Sequence, residues 1–234
     1  MIPLKDNIPT RTFPIITISI ILVNILTTLW TKLALTGDQA ELVVRQFGFV
    51  PRDFLVALSS DPLYLPFNLL TVGTSMFLHA GFLHLVGNML YLWIFGNNIE
   101  DAMGHGRFVV FYVLSGAAAA LTQFSVEPSA AAPMIGASGA VSGVLGAYLI
   151  LYPFARIKTL IFIVIFITTV ELPAIGLLTI WFFGQILLSH TGGVAWFAHI
   201  GGFIFGMVLV KIFVMGRRVV RPRARKGRVE SDER

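Results

Sequence analysis

Long uncharged apolar runs, separated by short polar clusters, dominate this chain. Residues 13–31, 62–99, 108–126, 133–152 and 172–210 contain no Lys, Arg, Asp or Glu. A helix crosses the hydrocarbon core of a bilayer with about 20 apolar residues, so each run is long enough for at least one crossing. The run 62–99 is too long for one helix, and Pro62, Pro66 and Gly73 break its first part, which puts the helix start near Leu78. The run 172–210 is interrupted at His190-Thr191-Gly192-Gly193 and yields two. The pattern predicts an all-α polytopic membrane protein with six helices at about 13–33, 78–98, 107–126, 133–152, 172–188 and 193–214. The first run lacks a small-residue cleavage site and reads as a retained helix.

The segment 159–170 stands apart. Its 12 residues are mostly Ile, Val, Thr and Phe, too short to span and typical in length of an interfacial or re-entrant piece. Inclusion in a longer helix is the alternative. Glu171-Leu172-Pro173 reads as a helix start, with an acid at the positive end of the dipole and proline in the first turn. The other reading of Glu171 is an intramembrane carboxylate. The first long loop, roughly 36–77, contains amphipathic stretches such as 40–49 and is expected to lie semi-ordered at the membrane surface.

Composition agrees with this pattern. Hydrophobic residues make up 56% and charged residues 12%, about half the charge of an ordinary soluble domain. The net charge of +5 comes from residues 217–234, where eight Lys/Arg face three acids; the first 216 residues balance. This excludes a basic nucleic-acid-binding domain and marks 217–234 as a basic, disordered tail. The absence of cysteine excludes disulfides, thiolate metal sites and cysteine nucleophiles. With both termini inside, fourteen Lys/Arg fall on the inner side and three (Lys32, Arg45, Arg52) on the outer. Cytoplasmic termini are the expectation.

That topology sorts the rare polar residues by depth. At 1.5 Å per residue, His84, Ser138 and His199 each lie about 8–9 Å below the outer surface, on the second, fourth and sixth spans. Asn88 follows His84 by one helical turn and shares its face. Polar groups in lipid are costly, so their convergence at one depth on three helices favours chemistry over isolated structural roles. The Gly139/Gly143 and Gly202/Gly206 pairs have the four-residue spacing that lets membrane helices approach closely. Gly202 and Gly206 share the face of His199, so a tight seam between spans four and six would bring Ser138 to His199. His79 and His84, five apart, do not stack on one helix face, and no HExxH is present; a zinc site is unsupported. No acid lies at this depth, so a serine–histidine dyad is expected, without metal or cofactor. An outward-facing aqueous cavity is then required.

Gly136-Ala137-Ser138-Gly139, Ala198-His199-Ile200-Gly201-Gly202 and His84-x-x-x-Asn88 together resemble the rhomboid family of intramembrane serine proteases. The stretches 74–81 and 96–101 are similar to bacterial members. The resemblance implies Ser138 as nucleophile, His199 as general base, and His84, Asn88 and the Ser138 N–H as oxyanion donors. It also implies that Glu100 ties neighbouring helices, that His79 pins the first loop, and that span five, with Trp181 to Gly184, is the mobile side. Substrates would be transmembrane proteins, and the membrane a prokaryotic plasma membrane. Two positions depart from the family pattern: Leu70-Thr71 stands where Trp-Arg is common, and Ser142 where some members stack an aromatic ring on the histidine. A non-cutting helix binder and a six-helix transporter are the alternatives. The intact Ser138/His199 pair argues against the first, and the lack of any two-fold repeat argues against the second.

Overall fold

A computed structural model describes residues 1–163, 166–188 and 195–220. The element order is β1 (Ile2–Asp6), α1 (Ile15–Leu29, continued by a π turn Trp30–Ala34), α2 (Gly37–Phe47), α3 (Pro51–Ser59), α4 (Leu65–Thr74), α5 (Phe82–Tyr91), α6 (Asn97–Met103), α7 (His105–Val126), α8 (Ser138–Leu151), β2 (Arg156–Ile163), β3 (Phe166–Pro173), α9 (Ala174–Leu188) and α10 (Trp196–Phe213). A π turn at Leu92–Gly96 joins α5 to α6. Ile15–Ala34, His105–Val126 and Trp196–Phe213 are each long and apolar enough to cross a membrane. Pro62–Phe77 and Phe82–Met103 qualify as a pair bent by 85°.

The central helix is α8, whose residues 139–148 are all buried. It has 14 residues, a length of about 21 Å against a core of about 30 Å. Its first residue is Ser138, because 133–137 are not helical. The serine therefore stands recessed at one end of the bundle.

At the opposite end, α1 has no side-chain cap of its own. Glu100 of α6 takes up its free N–H groups, and the neighbouring Asp101 holds the chain just before it. Glu100, fully buried, accepts from Ile16 N–H at 2.9 Å, Thr17 N–H at 2.8 Å and the Thr17 hydroxyl at 2.6 Å. Asp101 accepts from Thr12 N–H at 2.9 Å and its hydroxyl at 2.7 Å. Carboxylates at a helix N-terminus satisfy donors that the helix leaves open and complement its dipole.

Three expectations are corrected. The described residues of segment 159–170 are not part of a long helix. Residues 159–163 and 166–170 lie in two antiparallel strands, β2 paired with β3, with β1 added at the β2 edge. Burial alternates along β2, with Ile157 and Thr159 inside and Arg156 and Lys158 outside, the period of a half-buried strand of β-branched residues. Glu171 belongs to β3, opposite Lys158, and the helix starts at Ala174. The loop 36–77 is not semi-ordered but carries three helices. A Thr36/Gln39 capping box starts α2, Pro51 occupies the first turn of α3, and the Thr74 hydroxyl donates to Phe47 O at 2.7 Å. The rings of Phe49, Phe54 and Phe124 fasten the loop to α7.

The start of the basic tail is docked as well. Arg107 donates to Phe213 O and Met215 O at 3.1 and 2.7 Å, and Arg11 to Arg218 O at 2.6 Å. The expectation of a disordered tail otherwise falls on 221–234, outside the described residues.

Candidate active site

Two helix starts meet in the recess above α8. Ser138 opens α8, so its N–H is among those a helix leaves without an internal acceptor. His199 lies in the first turn of α10, whose Ala198 N–H donates to Gln123 Oε1 of α7 at 3.2 Å. His199 Nε2 is 2.8 Å from Ser138 Oγ, within ordinary hydrogen-bond range.

Glycine makes this meeting possible. A Cβ on Gly202 would run into the carbonyl oxygen of Gly139, and one on Gly206 into that of Gly143. A Cβ on Gly139 would stand 2.5 Å from the Ala119 methyl. The α8 and α10 backbones are thus in direct contact, and the small-residue spacing serves the packing it predicted. The seam ends at Ser138 and His199.

His84 and Asn88 converge on Gly136, two residues before the serine. Gly136 has φ +122°, which disfavours any L side chain. A Cβ there would lie 2.7 Å from His84 Cε1, 2.8 Å from His84 Nε2 and 3.7 Å from Asn88 Nδ2. Asn88 Nδ2 is 3.0 Å from His79 Nε2, and Thr28 Oγ1 of α1 is 3.5 Å from His79 Nδ1. The rings of His79 and His84 meet edge to face at 5.1 Å. Five-residue spacing does not stack two side chains on one helix face, but His79 precedes α5, so helical periodicity does not apply to the pair.

A cavity of about 710 Å³ opens over these groups, lined by Ser138, His199, His84, Asn88, Trp181 and Gln185. Ser142 does not reach the imidazole; its hydroxyl donates to Ser138 O at 2.6 Å. Instead the imidazole is flanked by Trp181, at 6.3 Å and 38°, and Trp196, at 5.9 Å and 89°. Its Nδ1 lies 2.7 Å from Gln185 Oε1. Gln123 and Gln185 were missed in the sequence, where each is one amide in a long apolar run. The available signal was cost, since a buried amide in lipid needs a partner.

Fold and pocket define a polytopic helical membrane protein with a recessed serine–histidine pair. Residues 66–216 match the Rhomboid domain, and the chain belongs to the rhomboid family. It is similar to Rhomboid protein 1, mitochondrial, of Saccharomyces cerevisiae, 33% identical over 144 residues covering 57% of this chain and 39% of that protein. It is also similar to Rhomboid protease GluP of Bacillus subtilis, 41% over 76 residues (32% and 14%), and to RHOMBOID-like protein 1 of Arabidopsis thaliana, 34% over 151 residues (61% and 34%). The chain covers less than half the length of each of these relatives.

Proposed function

We propose that this protein is an intramembrane serine endopeptidase that cleaves transmembrane segments of other membrane proteins. The observation that carries the reading is the 2.8 Å contact between Ser138 Oγ and His199 Nε2 at the recessed end of α8, inside a cavity that also presents His84 and Asn88. Family membership and the resemblance to a named rhomboid protease support the same class of activity.

Serine is a weak nucleophile without an adjacent base. Ser138 Oγ attacks the scissile carbonyl carbon while its proton passes to His199 Nε2. The oxyanion is met by the Ser138 N–H, at the positive end of the α8 dipole, and by His84 and Asn88; one such donor contributes about 2.7–4 kcal/mol in other hydrolases. Collapse breaks the C–N bond, and the proton moves from Nε2 to the leaving amine. Water then attacks the Ser138 ester, gives its proton to Nε2, and Oγ leaves with that proton. A regular helix hides its carbonyls in backbone hydrogen bonds, so the substrate must unwind locally before it is cut.

The reaction needs no cofactor. Six spans, both termini in the cytoplasm and a prokaryotic plasma membrane complete the proposal, with the orientation resting on fourteen inner against three outer basic residues. The test is cleavage of a transmembrane test substrate in proteoliposomes, with fluorophosphonate labelling alongside. Ser138→Ala should abolish both signals and His199→Ala should abolish cleavage; parent-level cleavage by Ser138→Ala overturns the reading.

A further inference from the structure

The Ser138–His199 contact leaves open which ring nitrogen carries the proton. A base needs Nε2 unprotonated and Nδ1 protonated, so something must accept from Nδ1. In hydrolases of the triad type a buried carboxylate does this. Among the described residues none touches His199; Gln185 Oε1 does, at 2.7 Å.

The orientation of that amide is fixed independently. Gln185 Nε2 donates to the Trp181 carbonyl one turn earlier, at 3.3 Å. Reversing the amide would set Oε1 against that carbonyl oxygen, two acceptors facing each other. Oε1 therefore faces the ring, Nδ1 must be the donor, and Nε2 is left with a lone pair directed at the Ser138 hydroxyl. Gln185 is itself buried, at 8% exposure, so water competes little for its oxygen.

We propose that Gln185 is the positioning residue of His199, the neutral counterpart of a triad acid, which selects the imidazole tautomer that accepts the Ser138 proton. The bond strengthens during reaction. When His199 becomes imidazolium, the neutral Nδ1–H···O contact becomes charge-assisted, a class contributing about 1.5–3 kcal/mol. Gln185 belongs to α9, and α9 is seated on α10 through Trp181 and Phe182 against Phe203, at 5.8 and 4.8 Å. Displacing α9 breaks the bond, so the base is set only when α9 is in place.

This inference rests on the hydrolase reading, and the experiment separates the two. The full-length protein in proteoliposomes is assayed for kcat and KM on a transmembrane test substrate across pH, as Gln185→Met, Gln185→Glu and the Ser138→Ala control. Gln185→Met keeps length and apolar fit but loses the acceptor; kcat should fall about 10–150-fold, with KM little changed. Gln185→Glu restores an acceptor and should restore kcat near neutral pH. Its carboxylate also favours imidazolium, so the acid limb of the kcat profile should move to higher pH. Among the described residues, the other groups facing the imidazole are the His84 ring from α5, the Ser138 hydroxyl from α8, and Trp181 and Trp196; Glu127 lines the cavity. All of these are unchanged in the variants. Parent-level kcat in Gln185→Met, or Met and Glu variants equally impaired on one unshifted profile, overturns the inference while a silent Ser138→Ala leaves the hydrolase reading standing. A Ser138→Ala variant that still cleaves removes both.

Discussion

Adding one methyl group seven residues from His199 should slow the site sharply. In Gly206→Ala the new Cβ falls 2.7 Å from Gly143 C and 2.8 Å from Gly143 Cα, and closer still to the carbonyl oxygen. Carbon atoms pack at about 3.5–4.0 Å, so α8 and α10 must part by about 0.7 Å or more. The obstacle is backbone, which cannot turn away as a side chain would. The Ser138–His199 contact stands at 2.8 Å; the same displacement takes it to about 3.5 Å, where a hydrogen bond is largely lost. Loss of a general base costs about 10²–10⁴ in rate, whereas overpacking of this kind destabilises by about 1–3 kcal/mol. Gly206→Ala should therefore be folded but slow. The assay pairs kcat on the transmembrane substrate with thermal unfolding in detergent, and Gly106→Ala, where a Cβ meets nothing within 4 Å, serves as the silent control. A Gly206→Ala protein with parent kcat at a temperature where it is folded would refute the claim that the glycine seam sets the Ser–His distance.

Two other perturbations act at the opposite end. Glu100→Ala removes the acceptor for the Ile16 and Thr17 N–H groups and the Thr17 hydroxyl; at about 1–3 kcal/mol per stranded buried group, the unfolding temperature should drop well below that of the parent, and an unchanged value would show that α1 is not held this way. Asp6 tests pH dependence. Burial raises its carboxyl above the usual carboxylate range, although Tyr148 and Asn98 donate to it. A raised native pKa means that the stability Asp6 contributes is present below its unfolded value and is lost as pH rises through the native one. The parent should lose thermal stability relative to Asp6→Asn as pH rises above the ordinary carboxylate value of about 4, and curves that stay parallel through that rise would contradict it.

How much could be read in advance depended on how local the signal was. His84, Ser138 and His199 were singled out by counting residues inward from span starts set by proline, glycine and polar interruptions, which works because so few polar groups lie in such apolar runs. The glycine pairs gave the seam for the same reason, since i, i+4 spacing is a property of one helix. Gln185 needed more. Its meeting with His199 depends on the rotation of α9 about its own axis and its seating on α10, and neither is written in the periodicity of an all-apolar helix. The strand pair was missed for a different reason. Hydropathy measures apolar content, and a strand of Ile, Thr and Leu scores much like a piece of membrane helix. The discriminating signal was the alternation of Arg156 and Lys158 with Ile157 and Thr159. β1 carries no such pattern and exists as a strand because β2 offers it an edge.

The depth of the site follows from where one helix begins. Pro133 opens the predicted fourth span, but the helix cannot start until the chain has passed Gly136, whose positive φ is incompatible with α-helix geometry. The five residues 133–137 are therefore spent outside the helix. The 14 residues left in α8 fall about 9 Å short of a bilayer core, which leaves room for a recess at the serine end. The same glycine keeps clear the space that His84 and Asn88 occupy. One backbone conformation two residues before Ser138 thus sets where α8 begins, exposes its positive end and admits the His84 and Asn88 side chains. On the proposed topology, a Ser-His pair below the membrane surface needs no special loop to lower it there; a helix that starts late is sufficient.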